Sequence, residues 1–156
     1  DILGQENYYI EDTDYAFDVY QKIEEAAYRL SKKVLKQIVD GTLKPIKQNE
    51  EEATYLLKRS PEDGLIDWDE PIENIHRLVR AVSHPFPGAF GMYDGKHQII
   101  IWRADMIENK KYIGMNGQIA EIHDGCIDVV CKNGLFRITD YENVDNVRLF
   151  VGHKMR

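Results

Sequence analysis

The richest chemistry in this 156-residue chain lies in one stretch, Lys58-Arg59-Ser60-Pro61-Glu62-Asp63-Gly64-Leu65-Ile66-Asp67-Trp68. It sets two cations, a hydroxyl, three carboxylates and an indole around a constrained turn. The planar donor fork of Arg59 suits a phosphate or a carboxylate, while the same fork paired with Glu62 or Asp63 would only pin the turn. Ser60 and Asp63 are the polar groups beside it. Trp68 either walls a ligand or anchors the loop by apolar packing. Asp67 has no base or second carboxylate placed beside it by spacing, so it reads as a local backbone brace. The other candidate is His84, next to Pro85 and Pro87. Its imidazole titrates near neutral pH and could guide a substrate, or it could hydrogen-bond to backbone and hold the turn. Arg59, Ser60, Asp63, Trp68 and His84 are therefore the candidate substrate-side residues. Arg103 and Arg137 add a small basic patch.

Other chemistries find no support in spacing. The histidines at 76, 84, 97, 123 and 153 accompany no Cys-x-x-Cys or His-Glu-x-x-His pattern, so no metal centre is expected. His123 with Cys126 reads as a turn followed by an inward cysteine rather than as a nucleophile with its base. No glycine-rich phosphate loop or serine elbow is present. Cys126 and Cys131 suit two reduced core thiols and hence a reducing, cytoplasmic setting. Lys and Arg number 20 against 27 Asp and Glu, a net charge of −7 that argues against a broad nucleic-acid surface. That excess is local: residues 1–84 hold 11 basic and 18 acidic side chains, and residues 85–156 hold nine of each. The longest apolar run, Ile99-Ile100-Ile101-Trp102, is far short of the roughly 20 residues that span a bilayer, so no membrane partner is expected.

The elements that must position these groups follow from periodicity. Residues 2–10 carry the aromatic and β-branched residues of a short strand with no hairpin partner. Glu11-Asp12-Thr13-Asp14 caps a long helix over 14–39, with Phe17, Tyr20, Ile23, Leu30, Val34 and Ile38 at three- and four-residue intervals and Gly41 as the stop. A connector with turns runs to Pro71. A second helix spans 71–83, with Ile72, Ile75, Leu78, Val79 and Val82 on one face. After the stiff His84-Pro85-Phe86-Pro87-Gly88 turn the period changes to two. Strands are expected over 89–93, 97–104, 117–122, 125–131, 134–140 and 147–151, joined by Asp94-Gly95, Asp124-Gly125 and Asn133-Gly134 turns, as in a small curled sheet or barrel. The fold class is α+β.

Pro61-Glu62-Asp63-Gly64-Leu65-Ile66-Asp67-Trp68, Ile75-His76-Arg77-Leu78-Val79-Arg80-Ala81-Val82 and Pro85-Phe86-Pro87-Gly88-Ala89-Phe90 resemble, in order and spacing, the folate-dependent formyltransferase family. The wording is closest to the formyltransferases that act on UDP-4-amino-4-deoxy-L-arabinose. The resemblance implies that residues 1–41 are the end of a Rossmann-like catalytic domain, with its terminal strand and long helix. It makes 42–88 a connector and 89–156 an OB-like β-barrel domain. It also implies that the family's catalytic Asn, His and Asp lie in a preceding stretch, since Asp1-Ile2 corresponds only to the tail of the motif carrying the Asp. This chain then holds no catalytic, cofactor-binding or metal-binding residue of its own. The parent is expected to use 10-formyltetrahydrofolate and to formylate a primary amine on an amino-sugar nucleotide, with initiator methionyl-tRNA or a non-catalytic binding role as the alternatives. Alone, the chain is expected to be inactive and to need its N-terminal catalytic domain or a second copy of itself to cover the long helix.

Overall fold

The computed structural model describes residues 1–108 and 111–156. It divides into two compact units, Asp1–Arg59 and Ser60–Arg156.

The first unit is built on the helix α1, Ala16–Val39, whose start is held by Asp18: its Oδ2 accepts from the Tyr15 N–H at 2.8 Å. Lys36 in the last turn pairs with Asp40 at 2.7 Å, where a cation also suits the helix dipole. The strand expected over 2–10 does not form. Only Ile2 bridges Ile46, and the rest of the segment lies along α1. Gly4 sits over Leu30 and Val34, where an added Cβ would come within 2.8 Å of either side chain. Further along, Glu6 meets Arg29 at 3.4 Å and the Tyr9 carbonyl accepts from Lys22 at 3.1 Å. A strand needs a neighbouring ladder for its N–H and C=O groups, and in this unit the segment has a helix beside it instead. Of the apolar stripe, Leu30 and Val34 are half-buried, whereas Phe17, Tyr20, Ile23 and Ile38 are exposed.

The second unit is an antiparallel sheet with one helix against it. The helix α2, Ile72–Val82, buries Ile72, Ile75 and Val79. Strands β1 (Ala89–Tyr93), β2 (His97–Ile107), β3 (Ile119–His123), β4 (Cys126–Cys131) and β5 (Gly134–Asn143) pair in the order β1-β2-β5-β4-β3. The Asp-Gly turns behave as the sequence predicts: Asp94 and Gly95, then Asp124 and Gly125, all have positive φ and close the β1–β2 and β3–β4 hairpins. Asn133-Gly134 does not. Gly134 already belongs to β5, and Asn133 turns outward to cap α2, its Oδ1 accepting from the Ile72 N–H at 3.0 Å and its Nδ2 donating to Glu73 at 2.9 Å. Lys132 and Asn133 make the turn between β4 and β5, and Asn133 serves as a tertiary cap as well.

The strand expected over 147–151 is also absent. Hydrogen bonding resumes one step later, where residues 152–156 bridge both edges of the sheet. The Met92 N–H donates to the Arg156 carbonyl at 2.7 Å, and the Arg156 N–H returns a bond to the Met92 carbonyl at 2.9 Å. On the other side the Ile119 N–H reaches the His153 carbonyl at 2.8 Å and the Met155 N–H reaches the Gly117 carbonyl at 2.7 Å. The tail therefore satisfies the outer groups of β1 and the approach to β3, which would otherwise be open edges. Inside lie Ile99, Ile101, Ile127, Val129, Phe136, Ile138 and Met155, each 0% exposed. Among the described residues no helix is long and apolar enough to cross a membrane.

Candidate functional site

Two motif segments far apart in sequence meet in the second unit. Pro61–Gly64 forms a single 3₁₀ turn capped from both sides: Asp63 Oδ2 accepts from the Ser60 N–H at 2.6 Å and from the Ser60 hydroxyl at 3.4 Å. A hydrogen bond from Ser60 also holds the Glu62 carboxyl below its usual range. Gly64 packs on the Gly88 carbonyl so closely that a Cβ at 64 would lie 2.7 Å from that oxygen, which is why glycine stands there. The next residues continue the contact, with Leu65 bridging Phe90 and the Ile66 N–H donating to the Phe90 carbonyl at 2.9 Å. The Pro-Glu-Asp-Gly turn and the Pro-Gly-Ala-Phe turn are thus one structural feature.

The candidate residues occupy different places around it. Arg59 is exposed and is the last residue of the first unit. Ser60 and Asp63 are committed to each other. Trp68 is 4% exposed, with its ring edge-on to Phe136 at 6.0 Å and its indole over Gly91 and Gly117. Its Nε1–H is buried and has no hydrogen-bond partner among the described residues. Trp68 also forms part of the wall of a cleft of about 200 Å³ with Asp67, Asp69, Asn116 and Lys154. Ser60, Asp63 and His84 do not line that cleft. Asp67 braces backbone, its Oδ1 accepting from the Asp69 N–H at 2.9 Å. His84 is exposed and stacks on Trp102, ring centroids 3.8 Å apart and planes within 16°; its bond to Pro85 is cis.

Behind this surface, α2 is bonded to an irregular stretch of β2. The ladder with β5 slips around Trp102, between Ile101 and Ala104. Two carbonyls there are taken up by α2: Ser83 Oγ donates to Trp102 O at 2.9 Å and His76 Nε2 donates to Ala104 O at 3.1 Å. Burial, with the Arg80 charge behind it, pushes the His76 pKa below its ordinary value and keeps the ring neutral, as an Nε2–H donor.

One cluster was not visible in linear spacing. On the outer face of the β3–β4 hairpin, Asp128 is 1% exposed and is gripped by Arg137, whose Nε and Nη2 each donate to one carboxylate oxygen at 2.7 Å. Burial alone would raise the Asp128 pKa. The Arg137 bonds and charge, with His123 beside it, outweigh that and hold it below the usual carboxylate range. The same bonds raise the Arg137 pKa. Arg137 is therefore an internal partner and not half of a basic patch with Arg103. The two cysteines are free and fall on opposite faces, as an odd separation along one strand requires. Cys131 is in the core, where burial pushes its thiol up to about 12. Cys126 is half-buried beside Asp128, on the outer face and not inward as the sequence reading had it.

The architecture is that of an α+β module: a five-stranded antiparallel sheet with its edges bridged by the C-terminal tail and a helix–turn pair fastened to one side. Residues 58–147, more than half of the chain, match the formyl transferase, C-terminal domain family, and the chain belongs to that family. Among solved structures it is similar to a quadruple variant of HypX from Aquifex aeolicus, with a TM-score of 0.69, 20% identity and 88% of this chain covered against 24% of that one. It is likewise similar to HypX from the same organism in complex with tetrahydrofolic acid, with a TM-score of 0.69, 19% identity and 88% and 23% coverage. The chain spans about a quarter of the length of those structures.

Proposed function

We propose that this chain is the C-terminal part of a 10-formyltetrahydrofolate-dependent formyltransferase, and that its role is to complete the fold and contribute an outer wall near the acceptor. In this reading residues 1–41 are the end of a Rossmann-like catalytic domain with its last helix, 42–88 are a connector, and 89–156 are the appended OB-like β domain. The observation that carries it is the seating of the Pro61–Gly64 turn on Gly88, since the two stretches that most resemble the formyltransferases form one contact inside the segment matched by the family. The tetrahydrofolate in one similar HypX structure supports a folate donor.

For the parent, the reaction is attack of a primary amine on the formyl carbon, with a base taking the amine proton and hydrogen-bond donors stabilising the tetrahedral oxyanion. Those groups belong to the preceding catalytic domain; none is assigned here. The acceptor we favour is an amino-sugar nucleotide, of the UDP-4-amino-4-deoxy-L-arabinose type, over initiator methionyl-tRNA, because a net charge of −7 gives no broad cationic surface for RNA phosphates. The test is formyl transfer from 10-formyltetrahydrofolate by the gene's full-length product, offered each acceptor in turn, beside the 156-residue chain alone. Activity of the full product on the amino sugar with none in the isolated chain is expected. Transfer to methionyl-tRNA only would replace the acceptor, and no transfer to any amine would overturn the reading.

A further inference from the structure

The β3–β4 hairpin carries four side chains of metal-ligating type on one face. Glu121 and His123 are two apart on β3, and their cross-strand partners on β4 are Asp128 and Cys126. One ligand atom from each of Glu121, His123 and Asp128 lies within 4.8 Å of the others. The closest approach, His123 Nε2 to Asp128 Oδ2, is 3.4 Å. Zinc–nitrogen and zinc–oxygen bonds of about 2.0–2.1 Å in a tetrahedron put neighbouring donors about 3.3–3.4 Å apart, so this pair already stands at ligating separation. Glu121 completes the set, its carboxylate within 4.8 Å of the other two ligand atoms.

We propose that this face binds a divalent transition-metal ion of the zinc type, through Glu121, His123 and Asp128, with Cys126 turning its thiolate in as the fourth donor. Asp128 does not have to release Arg137. An ionised carboxylate has about four lone-pair positions, and the guanidinium uses one on each oxygen. The charge also suits a cation, since Glu121 and Asp128 bring two carboxylates together on one face, with Arg137 bonded to Asp128. Supporting groups are in place around the donors. Tyr112 Oη–H donates to Glu121 at 2.5 Å, and the Asp124 carboxylate lies 3.6 Å from His123 Nδ1, on the side away from the ion. Nitrogen and sulfur donors beside carboxylates favour zinc or cobalt over calcium or magnesium, which prefer oxygen alone. Binding would cross-link β3 to β4 and release the Cys126 thiol proton.

The experiment is a cobalt titration of the reduced, tag-free 156-residue chain, followed by displacement with zinc. One equivalent should bind, with the intense visible bands of a four-coordinate centre and a sulfur-to-cobalt charge-transfer absorption that zinc abolishes. His123→Ala should weaken binding by more than about tenfold. Cys126→Ser should keep an ion but lose the charge-transfer absorption. A His97→Ala/His153→Ala control, which removes two surface histidines already paired with Asp145 and Asp94, should leave the titration unchanged. Glu121→Gln gives a second reading should His123→Ala not fold, as judged by circular dichroism. Absence of saturable binding, or affinity unaltered in both His123→Ala and Glu121→Gln, overturns the proposal whether or not the parent transfers formyl groups.

Discussion

Phe136 in the second unit and Phe17 in the first are the same side chain in opposite surroundings, 0% and 56% exposed. One sits on a strand whose residues 134–136 and 138 are buried and the other on an amphipathic helix. In Ser60–Arg156 the tail bridges the sheet's two edges and α2 packs against it, so the apolar face has partners within the unit. In Asp1–Arg59 a single helix has an extended segment along one side, and two alanines, Ala16 and Ala26, are the only residues of α1 that are fully buried. The pattern of apolar residues tells which side of an element seeks cover; whether it finds cover depends on what else belongs to the same compact unit.

The sharpest way to break the comparison is to remove one large side chain from each unit. Phe136→Ala should cost about 3–5 kcal/mol of stability, as expected for a filled core position left as a cavity. At a dilution where the chain is monomeric, Phe17→Ala should change stability by about 0.5 kcal/mol or less, because it leaves water rather than a core. Urea unfolding is followed by tryptophan fluorescence for the second unit, where Trp68 and Trp102 both lie, and by far-ultraviolet circular dichroism for the first, which is built on α1. Equal losses from the two variants would mean that α1 is covered in solution.

Next in size is the Asp128–Arg137 pair. Asp128→Asn leaves the guanidinium without its ionic partner next to a buried position, at a cost of about 2–4 kcal/mol, below that of a fully buried pair because Arg137 is about a third exposed. The sign with pH follows from the lowered Asp128 pKa: its contribution is present above the ordinary carboxylate pKa and is lost as pH falls through the lower folded value. Acid unfolding of the parent chain should therefore steepen below about pH 4, and Asp128→Asn should flatten that limb.

Much of the second unit was legible in the sequence for a physical reason. Alternation and Asp-Gly turns are local signals, and β1 to β5, α2 and both positive-φ turns follow from them. What escaped was set by tertiary partners. Asn133 became a cap for α2, and residues 2–10 lay along a helix because no ladder was on offer. Arg137 met Asp128 across two strands. Among the candidate site residues, Ser60 and Asp63 could be read as a cap from their three-residue spacing. The contact of Gly64 with Gly88 joins residues 24 apart, and only the motif wording pointed to it.

His76 gives a smaller and finer test within the well-packed unit. Its folded pKa is lowered, so the folded state binds fewer protons than the unfolded state just below the ordinary histidine value. Stability is full above about pH 6.5 and declines as pH drops from there toward the folded pKa. His76→Gln can still donate to the Ala104 carbonyl but cannot titrate, so it should remove this upper acid limb and leave the Asp128 limb in place. A pH-stability profile unchanged in His76→Gln would show that the ring is not held neutral by its burial against β2.

The smallest effect on stability should fall on the first unit, where the readout is association. Tyr20, Ile23 and Ile38 join Phe17 in exposing apolar surface on α1, all between 39% and 56%. An apolar helix face of that kind is covered in a longer chain by a neighbouring domain and in isolation by another copy. Light scattering on the 156-residue chain should therefore show mass above 18.2 kDa that falls on dilution. Phe17→Ser/Ile23→Ser should return it toward the monomer while shifting the unfolding midpoint little. On the proposed function, the same substitutions in the gene's full-length product should be far more damaging, because a preceding domain would pack on that face. A dilution-independent 18.2 kDa monomer before substitution would mean that α1 is stable with its apolar face in water, and the contrast between the two units would then be one of composition and not of missing partners.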